Sequence, residues 1–402
     1  MRDAERVRSA EEFLQKLCSV KPNRRTGSPG NRAAAAYVAG IVRSWGYDVE
    51  TTPFDCLDFE SDGAALTRGN RTFDLRVSPY TLGCDIEGTL VVASSLQELE
   101  ALDCQGQILL MRGDLCAEQL MPKEFPFYNP DHHKHIYTVL ERKHPGAIIT
   151  ATSRSPELVG AMYPFPLIED GDFDVSSAFC TDDRGEDIAQ WAGKMCRLLI
   201  RARRIPATAS NVVARKNPDA SKKVFVTAHI DAYGDAPGAS DDASGVVVLM
   251  LLAEALRDYE GNLGIEIAAL NGEDNYSAAG EKDYLRKHGA EADQIAVVIN
   301  IDDVGYIRGG TAYSTYGCPD RMGSLLQETL GCFDGMIEGE PWHQGDHMIF
   351  VQHGIPAIAF TSECMPELMA TITHSDRDTP DIVDCSKLVE LANALETFIR
   401  RL

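Results

Sequence analysis

The sequence predicts an α/β fold: a three-layer α/β/α sandwich around a mixed, mostly parallel sheet, with a smaller β-rich domain inserted into it. Three observations carry this. From Ala207 onward, apolar strand-like runs alternate with helical ones, the pattern of a sheet layered with helices. Between Asp55 and about Pro206 the texture changes to short strand-like runs broken by Gly, Asp and Ser. A chain of 402 residues is also long for one core, so two structural units are expected. The expected division is 1–54 as the first part of the main domain, 55–206 as the insert and 207–402 as the rest of the main domain.

In chain order, Ala10 to Phe54 reads as helix, polar loop, helix, strand. Arg24-Arg25-Thr26-Gly27-Ser28-Pro29-Gly30 has turn chemistry, and the alanine-rich run from Ala33 to Val42 is strongly helical, closed by Gly46. Tyr47 to Thr51 alternates like a strand. In the insert, Thr89 to Ala93 and Gln107 to Met111 are strand-like. A helix around Ile136 to Lys143 precedes a further strand at Gly146 to Thr150. The polar run Asp131-His132-His133-Lys134-His135, which lacks flanking strand ends, is read as a solvated loop. Beyond Ala207 the strands are Lys223 to Ala228, Gly264 to Leu270, Ala296 to Ile301 and Ala357 to Thr361. A helix over Ser244 to Leu256 joins the first two.

Composition excludes several roles. With 44% hydrophobic and 25% charged residues the chain is an ordinary globular one. A net charge of −23 argues against nucleic acid and against an anionic membrane surface, since both are bound by clustered Lys and Arg. The N-terminus is charged, without an apolar stretch of signal-peptide length, and Val246 to Leu252 is too short to span a bilayer. The eleven cysteines are scattered, odd in number and free of Cys-x-x-Cys pairs, which suits reduced thiols in a cytoplasmic protein. The sequence leaves the oligomeric state open, a homodimer included.

Five stretches in the last segment each place a metal-type ligand where a strand is expected to end. They are Ala228 to Asp231, Gly238 to Gly245, Asn271 to Asp274, Asn300 to Asp302 and His374 to Thr379. In order they offer His, Asp, Glu-Asp, Asp and His. That mixed nitrogen and oxygen set suits a pair of zinc ions with one position open to water. In open α/β sheets, sites form beyond the carboxyl ends of strands, where His229, Glu273-Asp274 and Asp302 are expected. Gly-x-Ser-x-Gly and a Gly-x-x-x-x-Gly-Lys-Ser/Thr phosphate loop are both absent.

These ordered motifs resemble the zinc aminopeptidases of the M28 peptidase family, over Gly27-Ser28-Pro29-Gly30-Asn31 and most of the chain after Ala207. The insert is loosely similar to a protease-associated domain, on Gly106 to Gly113 and Gly146 to Ile149. The resemblance implies an aminopeptidase with two Zn2+, other divalent transition metals also suiting the donors. One metal would be held by His229, Asp241 and Asp302, the other by Asp241, Asp274 and His374, with Asp241 bridging. Glu273 would be the general base toward a water between the metals, and would pass the proton to the leaving amine. Asp231 would accept the other N–H of His229, and Asp378 would do the same for His374. Asp346-His347 resembles the family's Ser-Asp-His element, with Gly345 in place of Ser, and is expected near the site, in support or in contact with substrate.

The family pattern usually reads Glu-Glu where this chain has Glu273-Asp274, so a slightly displaced or weaker second metal is expected. The expected reaction is removal of an N-terminal residue from a peptide, with the insert either walling off the pocket or serving dimerisation. Alternatives on this scaffold are a carboxypeptidase or dipeptidase, a one-zinc glutaminyl cyclase, and a binding protein without catalysis. A carboxypeptidase needs a basic pocket, for which Arg308, Arg321 and Arg377 are the candidates.

Overall fold

The structure, a computed structural model, describes residues 2–123, 125, 129–152, 168, 171–274 and 278–402. It divides into two compact units, Met1–Cys56 with Thr208–Leu402, and Leu57–Ala207. The chain opens with helices α1 (Arg2–Cys18) and α2 (Pro29–Ser44) and strand β1 (Asp48–Glu50). Ser28 caps α2 by accepting the Asn31 N–H, and Pro29 fills the first helical position, where no amide proton is needed.

The middle unit follows as β2 (Pro53–Arg68), β3 (Arg71–Val77), β4 (Cys84–Ala93), α3 (Leu96–Ala101), β5 (Ile108–Met111) and α4 (Asp131–Lys143). It ends with β6 (Ala147–Thr152), β7 (Ser177–Thr181), α5 (Asp182–Ala189) and β8 (Met195–Ser210). Its strands close into a barrel in the order β2-β3-β7-β6-β5-β4-β8, the run β4-β5-β6-β7 being parallel. Leu66, Phe73, Leu90, Ile108, Leu110, Ile149, Trp191 and Leu198 fill it. The run from Asp131 to His135 is the first turn of α4 and not a loop, and His133 is buried there. Sequence reading went astray because the turn's polarity hides that one of its five residues faces inward.

The last segment supplies β9 (Val212–Lys216), β10 (Lys223–His229), α6 (Ser244–Ala255), β11 (Gly264–Leu270), α7 (Ala279–His288) and β12 (Ile295–Ile301). Then come β13 (Thr311–Tyr316), α8 (Asp320–Leu330), β14 (Met336–Glu338), α9 (His347–Val351), β15 (Ala357–Ser362), α10 (Met365–Thr371) and α11 (Cys385–Arg401). The sheet order is β1-β9-β11-β10-β12-β15-β13-β14. Its centre, β11-β10-β12-β15, is parallel, and antiparallel pairs flank it at β9 and β13. Every residue of β10 and β11 is buried, as expected of parallel strands covered on both faces.

On one face Val224, Val226 and Ala228 pack with α1, α6 and α11. On the other, the Phe225 ring meets Tyr284 of α7 and Phe350 of α9. These are the three layers the sequence predicts. Helix α6, apolar on all sides, is buried from Ser244 to Ala253. Its entry needs Gly245, since a Cβ there would lie 2.4 Å from Asp242 Oδ2 and 2.6 Å from the Ile301 carbonyl oxygen.

Candidate metal centre

Parallel pairing of β10 with both β11 and β12 sets three strand ends side by side, and the donors sit there. His229 is the last residue of β10, Asp302 follows β12 directly, and Glu273-Asp274 lies on the turn after β11. The other two ligand stretches do not end strands. Asp241 lies in the wide helical turn Ala239–Ala243 before α6, and His374, with φ +67°, lies in the loop after α10.

All five predicted ligand residues converge. Asp241 stands between the imidazoles, with Oδ1 3.0 Å from His229 Nε2 and Oδ2 3.0 Å from His374 Nε2. Asp302 Oδ1 is 3.6 Å from His229 Nε2, and Asp274 Oδ1 is 2.8 Å from His374 Nε2. Asp241 therefore joins the two imidazoles, with Asp302 beside His229 and Asp274 beside His374; donor atoms of His229, Asp241 and Asp274, and of His229, Asp242 and Asp302, lie within 4.8 Å of one another.

The donor set fits divalent cations. Around a tetrahedral ion with bonds of about 2.1 Å, donor atoms lie roughly 3.4 Å apart. The separations here run from 2.8 to 3.6 Å. His229 Nε2 and Asp274 Oδ2 are buried without hydrogen-bond partners, a costly state unless a cation engages them. Electrostatics agree in the metal-free protein. Burial works to lower the His229 pKa, yet the Asp231, Asp241 and Asp302 carboxylates drive it well above the usual value. Burial works to raise Asp241, and the flanking His229 and His374 hold it below the carboxylate range. Such a pocket favours positive charge.

Glu273 is half-buried beside Asp274. Burial first, and then the Asp274, Asp302 and Asp346 carboxylates, raise its pKa well above the ordinary value against the pull of His229. Asp231 does not hold His229 as expected: its Oδ1 is 3.8 Å from His229 Nδ1, beyond a hydrogen bond. It accepts instead the Gly272 and Asp274 N–H groups at 2.7 and 3.1 Å, and so fixes the turn that carries Glu273. Asp378 accepts the N–H groups of Ser240 at 2.7 Å and Asp241 at 3.1 Å, and so holds the turn that carries Asp241. Asp231 thus found main-chain donors nearer than the imidazole predicted for it.

Asp346 precedes α9 without capping it, and its Oδ2 accepts from the Thr227 hydroxyl at 3.5 Å. His347 is buried beside it. Asn300 Nδ2 donates to His347 Nδ1 at 3.3 Å, and His347 Nε2 donates to the Trp342 carbonyl at 3.2 Å. Burial pushes its pKa down to about 4, so the ring is neutral and braces Asn300, two residues before Asp302.

Sequence reading missed three residues here. Tyr233 stacks on His374 with ring centroids 4.4 Å apart, and its signal was its place two residues after Asp231. Asp242 accepts the His229 and Gly245 N–H groups at 3.2 and 2.9 Å, tying the end of β10 to the start of α6. Asp303 accepts from the Ser240 hydroxyl at 2.7 Å; nothing local in the sequence marked it.

A second cluster, Glu118 with His132 and His133, lies in the middle unit. There the Met121 N–H donates to His133 Nδ1 at 3.2 Å, which leaves the proton on Nε2, the atom facing Glu118. That nitrogen is a donor and not a metal ligand.

The fold and the donor-bearing segment both have counterparts among known proteins. Residues 211–399, the segment that carries the donors, match the sequence model of Peptidase family M28. The probable lipoprotein aminopeptidase LpqL of Mycobacterium tuberculosis is 24% identical over 316 residues, 75% of this chain and 59% of that protein. The chain thus spans well under two thirds of that relative's length. Among solved structures, an aminopeptidase from Aneurinibacillus sp. strain AM-1 superposes with a TM-score of 0.77 at 22% identity, over 98% of this chain and 93% of its own. BSAP, a zinc aminopeptidase from Bacillus subtilis, gives 0.74 at 19% identity, over 98% and 94%. At these identities the structural likeness establishes the fold.

Proposed function

We propose that the protein is a zinc aminopeptidase with two co-catalytic metal ions. The observation that carries this is Asp241, whose two oxygens each lie 3.0 Å from a different imidazole, as a bridging carboxylate requires. His229 and Asp302 would complete one ion's shell, and Asp274 and His374 the other's. Zinc bound there would acidify a water molecule and polarise the scissile carbonyl. Glu273 would take the proton from that water and return it to the leaving amine. Asp231 holds the Glu273 turn in place through two N–H groups.

The M28 match over 211–399 and the aminopeptidase likenesses support a peptidase and, among peptidases, the exopeptidase reading. A cyclase running on one zinc would have no use for a second donor group built on His374 and Asp274. Of the arginines considered for a carboxypeptidase, Arg308 is exposed and paired with Glu367. All eleven cysteines are free thiols, which supports the cytoplasmic location we also propose and which cell fractionation would check.

The test is hydrolysis of aminoacyl-arylamides and short peptides by zinc-loaded protein, each beside its N-acetylated twin. Cleavage of the free-amine forms alone is the expected result. Cleavage regardless of acetylation, or of none of them, would overturn the aminopeptidase reading.

A further inference from the structure

The loop between α1 and α2 reads in sequence as turn chemistry, and the fold buries it. Arg24 is 2% exposed, and Thr26, Ser28 and Asn31 are fully buried. The Arg24 guanidinium engages main-chain carbonyls. Nε donates to Ile230 at 2.8 Å, Nη1 to Pro237 at 2.7 Å and Leu17 at 3.4 Å, and Nη2 to Gly238 at 2.6 Å. Ile230 follows His229 directly, and Pro237 and Gly238 lead into the turn that carries Asp241. One planar group therefore spans the two stretches whose ligands must meet at a single ion. Asp378 holds the same turn through its N–H groups, so the loop is gripped by a guanidinium on its carbonyls and a carboxyl group on its amides. Gly238, with φ +60°, leaves the room: a Cβ there would lie 2.7 Å from Arg24 Nη2.

A second arm reaches the other donor group. Asn31 Nδ2 donates to Asn271 Oδ1 at 3.0 Å, and Asn271 Nδ2 donates back to Asn31 Oδ1 at 2.9 Å. Thr26 adds its hydroxyl to Asn271 Oδ1 at 3.2 Å. Asn271 opens the turn that presents Glu273 and Asp274.

We propose that residues 24–31 act as a positioning clamp for the metal centre, with Arg24 setting the spacing of His229 and Asp241 and Asn31 setting the turn of Glu273 and Asp274. The proposal rests on the two-metal reading above. Lysine cannot replace the arginine here, because a compact ammonium does not reach carbonyls on two separate stretches with a fixed fork. Groups that orient metal ligands without touching the metal typically cost 10–100-fold in affinity when removed.

The experiment measures zinc affinity by competition with a chromophoric chelator, well below each variant's melting temperature, for wild type, Arg24→Lys, Asn31→Ser and Phe398→Leu. Phe398 is buried in α11 among core side chains, and its variant controls for lost stability alone. Arg24→Lys and Asn31→Ser are expected to bind zinc roughly 10–100-fold more weakly, and Phe398→Leu as wild type does. Wild-type affinity in folded Arg24→Lys and Asn31→Ser overturns the clamp, as does an equal loss in Phe398→Leu. If Arg24→Lys does not fold, Asn31→Ser decides by the same criterion. Wild-type protein that takes up no zinc overturns the two-metal reading and the clamp with it. Two zinc ions bound equally by wild type and variants overturn the clamp alone.

Discussion

At the scale of single residues, the centre works by giving each carboxylate one task. Asp241 faces both imidazoles, Asp231 and Asp378 face main-chain amides, and Glu273 is left with a raised pKa beside them. Glu273→Gln should keep its zinc and lose about 10²–10⁴-fold in kcat on a free-amine substrate. Metal analysis together with steady-state rates would check this, and retained activity at full zinc would remove Glu273 as the base. Glu281 offers a separate pH prediction. It is fully buried beside the Asp346 carboxyl, and burial above all pushes its pKa up to about 7. The folded state thus keeps a proton that the unfolded chain releases from about pH 4.5 upward. Stability from this group is present at low pH and lost as pH rises through about 7. Glu281→Gln should therefore be more stable than wild type at pH 8, by on the order of 2 kcal/mol, and lose that advantage toward pH 5. Denaturant melts at both pH values would show it, and an advantage independent of pH would refute it.

At the scale of elements, strand ends carry three of the five ligand stretches, while the turn before α6 and the loop after α10 carry the others. Those two need outside support, and Asp378 supplies it to the turn. Asp378→Ala would leave the Ser240 and Asp241 amides buried without acceptors, at a cost of about 1–3 kcal/mol each. Calorimetry should show a lower melting temperature and zinc titration a weaker site; an unchanged affinity would mean the turn holds its shape unaided. Strand positions were legible in sequence because β10, β11, β12 and β15 are short, mainly apolar runs, buried at every position but Ala296. The start of α4 was not, since a helix turn with one buried histidine among exposed polar neighbours has no period to read.

At the scale of the whole molecule, buried carboxylates crowd a small volume and repel one another unless cations offset them. Prolonged chelation should lower the melting temperature, and added zinc should restore it. Saturating metal at a thousand times its Kd stabilises by about 4 kcal/mol per site. A melting curve indifferent to both chelator and zinc would count against any metal centre. The net charge of −23 is an independent property of the surface that favours solubility.

The sequence by itself determined the chemistry of the donors, their order along the chain, and the alternation of strand and helix that lays out the sheet. These are local properties: a buried parallel strand must be apolar, and an imidazole or carboxylate at its end needs no partner to be recognised. Only the tertiary structure decided which oxygen of Asp241 faces which imidazole, that Asp231 and Asp378 hold turns through main-chain amides, and that Arg24 is a buried fork and not a surface turn residue. The physical reason is distance along the chain. Arg24 and Ile230 lie 206 residues apart, and Asp241 and Asp378 lie 137 apart. A pairing of that span is made by sheet order and helix packing, so it leaves no trace in the spacing of either partner's neighbours.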